Sequence, residues 1–172
     1  LAQLDQLDRV VYVGSFAKTL SADLRVGFIA CNPDLRARFS DVKIVSCVST
    51  SEFAERMVYL MLTEGHYRKL IERLQGRLAD ATARTLRMLE RAGLAPHGEP
   101  KGGMFVWAEV PGIGDAARLA SDAAAQGIML APGAIFRPQQ QPSPFLRFNA
   151  AYALDKRLER YLAEALPRIV GN

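Results

Sequence analysis

The sequence predicts an α/β fold, and three observations carry that expectation. Two short apolar runs, Val10–Val13 and Val26–Ala30, have the length and β-branched content of strands. From Tyr67 to Leu89 apolar residues return at helical spacing, and from Met104 to Leu130 strand, turn and helix signals alternate.

The opening residues read as a turn into the first run, which Gly14-Ser15 closes; both runs are expected to be buried strands. Asn32-Pro33-Asp34 is a helix start, with Asn32 able to cap and Pro33 tolerated in the first turn, and the helix is expected to reach about Val42. Ser49 and Glu52 have capping-box spacing before a helix that carries Phe53, Met57, Leu60 and Met61 on one face and ends near Gly65. The stripe at 67, 70, 71, 74, 78, 86 and 89 predicts a helix of about seven turns. Gly93 stops it, with Leu94 as the apolar contact behind the cap. Pro96, Gly98, Pro100, Gly102 and Gly103 mark a loop and the expected boundary between two structural units. Beyond it the pattern predicts strand Met104–Val110, a Pro111-Gly112 turn, a helix from Asp115 to Gln126 closed by Gly127, and strand Ile128–Leu130. A Pro-broken connection, Arg137–Pro144, leads to strand Phe145–Phe148 and a last helix with Leu154, Leu158, Leu162 and Leu166 in register.

Composition sets the outer bounds. The 172 residues carry 22 Lys+Arg, 18 Asp+Glu and 49% hydrophobic residues, an ordinary globular balance. A chain this long buries roughly 70% of its unfolded surface, so it can own a core. The net charge of +4 is too small, and too evenly spread, to imply nucleic-acid contact by this chain. No apolar run is long enough to span a bilayer and the first thirty residues lack the order of a signal peptide, so no membrane partner and a cytoplasmic location are expected. Cys31 and Cys47 have neither CxxC spacing nor His neighbours, and His66 and His97 have no metal-ligand spacing, so neither a disulfide framework nor a metal is expected. The cysteines are expected to be buried small hydrophobes. The chain opens at Leu1 in a segment that reads like the interior of a protein, so a fragment is expected.

Chemistry concentrates between the two apolar runs, in Gly14-Ser15-Phe16-Ala17-Lys18-Thr19-Leu20-Ser21-Ala22-Asp23-Leu24-Arg25-Val26-Gly27. A lysine held there can form a Schiff base with a carbonyl. Ser15 and Arg25 supply a hydroxyl and a planar cation, the groups that hold a phosphate beside it. A solvated Lys18, with Arg25 paired to Asp23, is the plain alternative.

Ser-Phe-Ala-Lys followed by Leu-Arg-Val-Gly resembles the cofactor-lysine segment of the fold type I, class I/II aminotransferases, which use pyridoxal phosphate. The resemblance implies that Lys18 forms the Schiff base and later moves the substrate proton, while Ser15 and Arg25 bind the phosphate. Ala22-Asp23 departs from the Pro-Gly common in relatives. Phe145-Leu146-Arg147-Phe148-Asn149 is similar to the family strand whose arginine binds the substrate α-carboxylate, which assigns that role to Arg147; an edge-strand arginine reaching solvent is the alternative. Lys101-Gly102-Gly103-Met104-Phe105-Val106-Trp107 resembles the small-domain entry, where glycines let backbone pass close to substrate, which implicates Gly103. Phe105 and Trp107, two apart, could equally be one core face. Ala131-Pro132-Gly133-Ala134-Ile135-Phe136 is similar to the family's Pro-Gly-x-x-Phe turn, an architectural element.

On this resemblance, residues 1–45 are the end of the large cofactor-binding domain, 46–100 connecting long helices, and 101–172 the small C-terminal α+β domain of the aspartate aminotransferase-like fold. The family's ring-stacking and pyridine-nitrogen residues lie outside the chain, so the chain alone is expected to be inactive, with an exposed sheet edge. The implied partners are an amino acid or amine and a second copy in a homodimer. Val11–Leu20 and Glu64–Leu70 are close to the wording of GntR/MocR-type transcription regulators, in which DNA is bound by an upstream domain not present here. A free-standing aminotransferase that passes an amino group to a 2-oxo acid is the alternative, and a cofactor-free interaction domain the third reading.

Overall fold

β-Branched and aromatic residues near the start form a two-stranded antiparallel ladder, β1 (Tyr12–Ser15) with β2 (Gly27–Ala30), which sets Gly14 against Phe28 and Ser15 against Gly27. Glycine is needed at the second of these crossings and leaves room for a ring at the first. The Phe28 ring occupies the place of a Cβ on Gly14, and a Cβ on Gly27 would come within 2.8 Å of the Gly14 carbonyl oxygen. The computed structural model describes residues 1–98 and 100–170, and the chain divides into two units, Leu1–Arg73 and Leu74–Asn172.

In the first unit a short turn of helix, α1 (Ala2–Asp5), precedes β1. The Asp5 carboxylate accepts from the N–H of Arg9 at 2.6 Å and of Val10 at 2.8 Å, and the Arg9 bond chiefly holds that carboxyl below its ordinary value. α2 (Pro33–Cys47) begins as expected, Asn32 accepting from the Leu35 N–H at 2.9 Å. It runs five residues beyond Val42, because Lys43–Cys47 contains no glycine or proline to stop it. α3 (Glu52–Thr63) is capped by Ser51, whose hydroxyl accepts from the Ala54 N–H at 3.4 Å. The Ser49–Glu52 box does not form, since Glu52 is the first residue of the helix and Ser49 lies outside it. Ala54 and Val58 face inward and pack with Phe16 and Val26, whereas Phe53 is 73% exposed.

Two further expectations are corrected here. The strands are apolar but not buried: Tyr12, Val13, Phe28 and Ile29 are exposed, because no third strand or helix of this unit covers them. Cys47 is exposed, since α2 turns no residue into a core, and Cys31, just past the end of β2, is half-buried.

The second unit starts within α4 (His66–Arg91), whose end is a Schellman motif: Leu94 N–H bonds Leu89 O at 2.9 Å, Gly93 N–H bonds Glu90 O at 3.0 Å, and Gly93 adopts φ +89°. The strands β3 (Ala95–Pro96), β4 (Phe105–Glu109), β5 (Ala131–Pro132) and β6 (Phe145–Asn149) form an antiparallel sheet in the order β3-β4-β6-β5. β3 was not foreseen; its proline is tolerated on an edge strand. Val106, Ala108, Leu146 and Phe148 alternate inward and meet Leu89, α5 (Ala117–Ala125) through Leu119, and α6 (Lys156–Val170) through Leu158, Leu162 and Leu166. Phe105 and Trp107 are on the opposite face and do not form the core. The strand expected at Ile128–Leu130 is displaced to β5, because the Ile128 N–H closes α5 on Ala123 O at 2.9 Å and Met129 is left 96% exposed. The Tyr161 hydroxyl links α6 to α5, facing Leu119 O at 2.9 Å and Asp122 Oδ2 at 3.0 Å, while Arg168 donates to the same Oδ2 at 2.8 Å. Burial first, and the Asp122 carboxylate second, push the Tyr161 phenol above its ordinary value.

Candidate functional site

The ladder of β1 and β2 continues one step past its ends, Phe16 N–H bonding Val26 O at 3.0 Å, and the chain then folds into a helical turn with Leu20 N–H on Phe16 O at 2.8 Å. Phe16 and Val26 are buried against Ala54 and Val58, which fixes this end of the hairpin. Lys18 lies in the turn between Phe16 and Leu20 and is exposed. The Tyr67 hydroxyl donates to Thr19 Oγ1 at 3.2 Å and its ring meets Phe16 edge-on at 5.6 Å, so α4 braces the lysine turn. Tyr67 was read from sequence as part of a helical stripe and of the regulator-like segment Glu64–Leu70, without a site role; its polar tip was the unread signal.

Ser15 closes β1, and its Oγ accepts from the Ala17 N–H at 3.2 Å, which leaves its own hydrogen free to donate. Arg25 ends a 3-10 turn (Ala22–Leu24) with φ +52°, an unusual backbone state for a residue with a side chain. No ion pair joins Arg25 to Asp23, and among the described residues neither Arg25 nor Lys18 has an acidic partner within 4.0 Å. Ser15, Lys18 and Arg25 thus all lie at one end of the hairpin. An amine, a hydroxyl donor and an uncommitted guanidinium are the donor set that an aldehyde bearing a phosphate requires.

Gly103 and Arg147 belong to the second unit. Gly103 adopts φ +80° in the loop before β4 and lines a groove of about 450 Å³ between that loop and residues Gln75–Leu86 of α4. Arg147 is on β6, an inner strand, opposite Trp107 and Ala131. It is half-buried, so the edge-strand alternative does not hold. Its Cζ lies 4.2 Å from the ring centroid of Phe105 and 4.2 Å from that of Phe136. Trp107 stacks on Phe145 at 5.5 Å and meets Phe136 edge-on at 5.5 Å. A guanidinium held in this way offers a fork of parallel donors to a carboxylate. The two phenylalanines beside it were missed as site residues; the two-residue alternation places Phe105 on the face of Trp107, whereas Phe136 arrives from the 3-10 turn Gly133–Phe136, which strand alternation does not reach.

Comparison with known proteins shows the family and the fold. The family model described as aminotransferase class I and II matches residues 1–166. The uncharacterized HTH-type transcriptional regulator YdfD of Bacillus subtilis is 30% identical over 94% of this chain and 33% of its own length. Aromatic-amino-acid aminotransferase 1 of Thermococcus litoralis is 28% identical over 94% of this chain and 40% of its own. Among solved structures, the α-aminoadipate aminotransferase LysN of Thermus thermophilus, complexed with N-(5'-phosphopyridoxyl)-L-leucine, superposes with TM-score 0.76 at 29% identity, covering 99% of this chain and 43% of that one. The chain therefore spans between about a quarter and a half of the length of the proteins it matches. The cofactor of this family is pyridoxal phosphate. No described helix is long and apolar enough to cross a membrane. With a family match over nearly its whole length and an aspartate aminotransferase-like fold, the chain belongs to the class I and II aminotransferases.

Proposed function

We propose that this chain is the pyridoxal-phosphate-binding, aminotransferase-like domain of a GntR/MocR-type transcription regulator, binding an amino acid or amine as its signal. The observation that carries the cofactor half is the placement of Ser15, Lys18 and Arg25 at one hairpin end, with no acidic partner within 4.0 Å of either cation among the described residues. When bound, pyridoxal phosphate supplies an aldehyde for covalent attachment and a ring that withdraws electrons from the carbon bearing the amino group. Lys18 offers its Nζ for that attachment and afterwards as the base at the substrate Cα. Ser15 and Arg25 hold the phosphate, and Arg147 the carboxylate, where Gly103 lets backbone come close. In this reading residues 1–45 end the large domain, 46–100 connect, and 101–172 form the small domain. The protein works as a cytoplasmic homodimer, for which the exposed apolar residues of the first unit provide a surface. DNA is contacted through a domain outside this chain.

Borohydride reduction of the full-length protein with pyridoxal phosphate, followed by peptide mapping, tests the assignment. Label on the Lys18 peptide, absent from Lys18→Ala, is the expected result; label that persists in the variant removes Lys18 from the site. The similarity to aromatic-amino-acid aminotransferase 1 favours a second reading, a free-standing aminotransferase. Steady release of keto acid from an amino donor supports that reading, whereas a ligand-dependent change in DNA affinity without turnover supports the regulator.

A further inference from the structure

Phe105 and Phe136 are 46% and 42% exposed, large apolar side chains that the core does not use. They come from opposite sides of β6: Phe105 from β4, and Phe136 from the 3-10 turn Gly133–Phe136 that follows β5. Each ring lies 4.2 Å from the Arg147 Cζ. The guanidinium makes no hydrogen bond or ion pair among the described residues, so these rings are what holds it. Trp107, edge-on to Phe136, backs the arrangement.

From this geometry we infer that Phe105 and Phe136 are positioning residues, a clamp on both sides of Arg147 that leaves the in-plane N–H fork as its open edge. A cation between two ring faces is attracted to both, and its rotation out of the fork plane is blocked. A carboxylate then meets two donors already set parallel and does not have to order a free side chain. The inference rests on the reading of Arg147 as the carboxylate contact.

The test uses the full-length protein loaded with pyridoxal phosphate and an unreactive probe pair, 4-methylvalerate and its amide 4-methylvaleramide, with affinities measured by calorimetry. The clamp predicts that Phe105→Leu and Phe136→Leu each weaken 4-methylvalerate binding about tenfold and leave the amide unchanged. Phe136→Tyr, which keeps the ring face, restores the carboxylate affinity. Thermal melting and cofactor absorbance of the leucine variants should match the parent. Arg147→Gln separates the two layers. If Arg147→Gln keeps the preference for carboxylate over amide, the reading of Arg147 fails and the clamp with it. If Arg147→Gln loses the preference while both leucine variants keep parental affinity, or if Phe136→Tyr behaves as Phe136→Leu, the clamp alone is overturned.

Discussion

Tyr161 shows how one side chain can carry a pH dependence. Its phenol is buried and faces both a carbonyl and a carboxylate, so the folded chain holds the proton more tightly than the unfolded chain does. A folded value raised above the ordinary value of about 10 gives a contribution to stability that is complete below pH 10. It declines as pH rises further, because the unfolded chain releases its proton first. Urea midpoints followed from pH 8 to pH 11 should therefore fall, and Tyr161→Phe, which has no proton to release, should flatten that fall. Parallel pH profiles for parent and variant would remove Tyr161 as the cause. Asp5 works in the opposite sense, its contribution being lost as pH drops, but it braces only the approach to β1.

Individual elements depend on how their ends are closed. At the end of α4 the Schellman bonds need Gly93 at φ +89°, where an added Cβ meets no neighbour within 4 Å, so the cost of a side chain there is conformational. Gly93→Ala is expected to destabilise the chain by about 1 kcal/mol, read as a lower urea midpoint at unchanged slope. A parental midpoint would mean that the motif contributes little. This cap was legible in the sequence because glycine followed by leucine after a helical stripe admits few other readings. The Asn32 cap of α2, β4, β6 and the leucine register of α6 were legible for the same reason, local chemistry agreeing with tertiary packing. The choice of Ser51 over Ser49 was not, since two hydroxyls two residues apart differ only in where the helix begins. The place of β5 was hidden as well, because the Ile128 N–H was taken by the end of α5. In the candidate site, Ser15, Lys18, Arg25 and Arg147 stood out as polar groups against apolar strands. Beside Arg147, Phe105 could be read as core and Phe136 as part of an architectural turn, and nothing in the sequence shows which face of β4 the core takes.

At the scale of the whole molecule the two units differ in what they bury. The second encloses a continuous core in which Leu89, Leu119, Leu146 and Leu162 are fully buried, whereas the first gathers four buried residues around Phe16 and leaves apolar side chains of β1, β2, α2 and α3 exposed. Backbone amides of β4, β6 and α6 should then exchange with solvent slowest, and those of β1, β2 and α2 on the order of a hundredfold faster, in native-state hydrogen exchange on this 172-residue chain. Equal protection in both units would contradict it. The left-handed backbone of Arg25 bears on how such a molecule can change. Glycine would fit that φ at lower cost, and the substitution would remove a guanidinium that no acidic side chain engages among the described residues. If Arg25 holds the phosphate as proposed, thermostability and anion capture select for different residues at position 25. A lineage freed from its cofactor is expected to drift to glycine there, while one still dependent on it would keep the strained arginine.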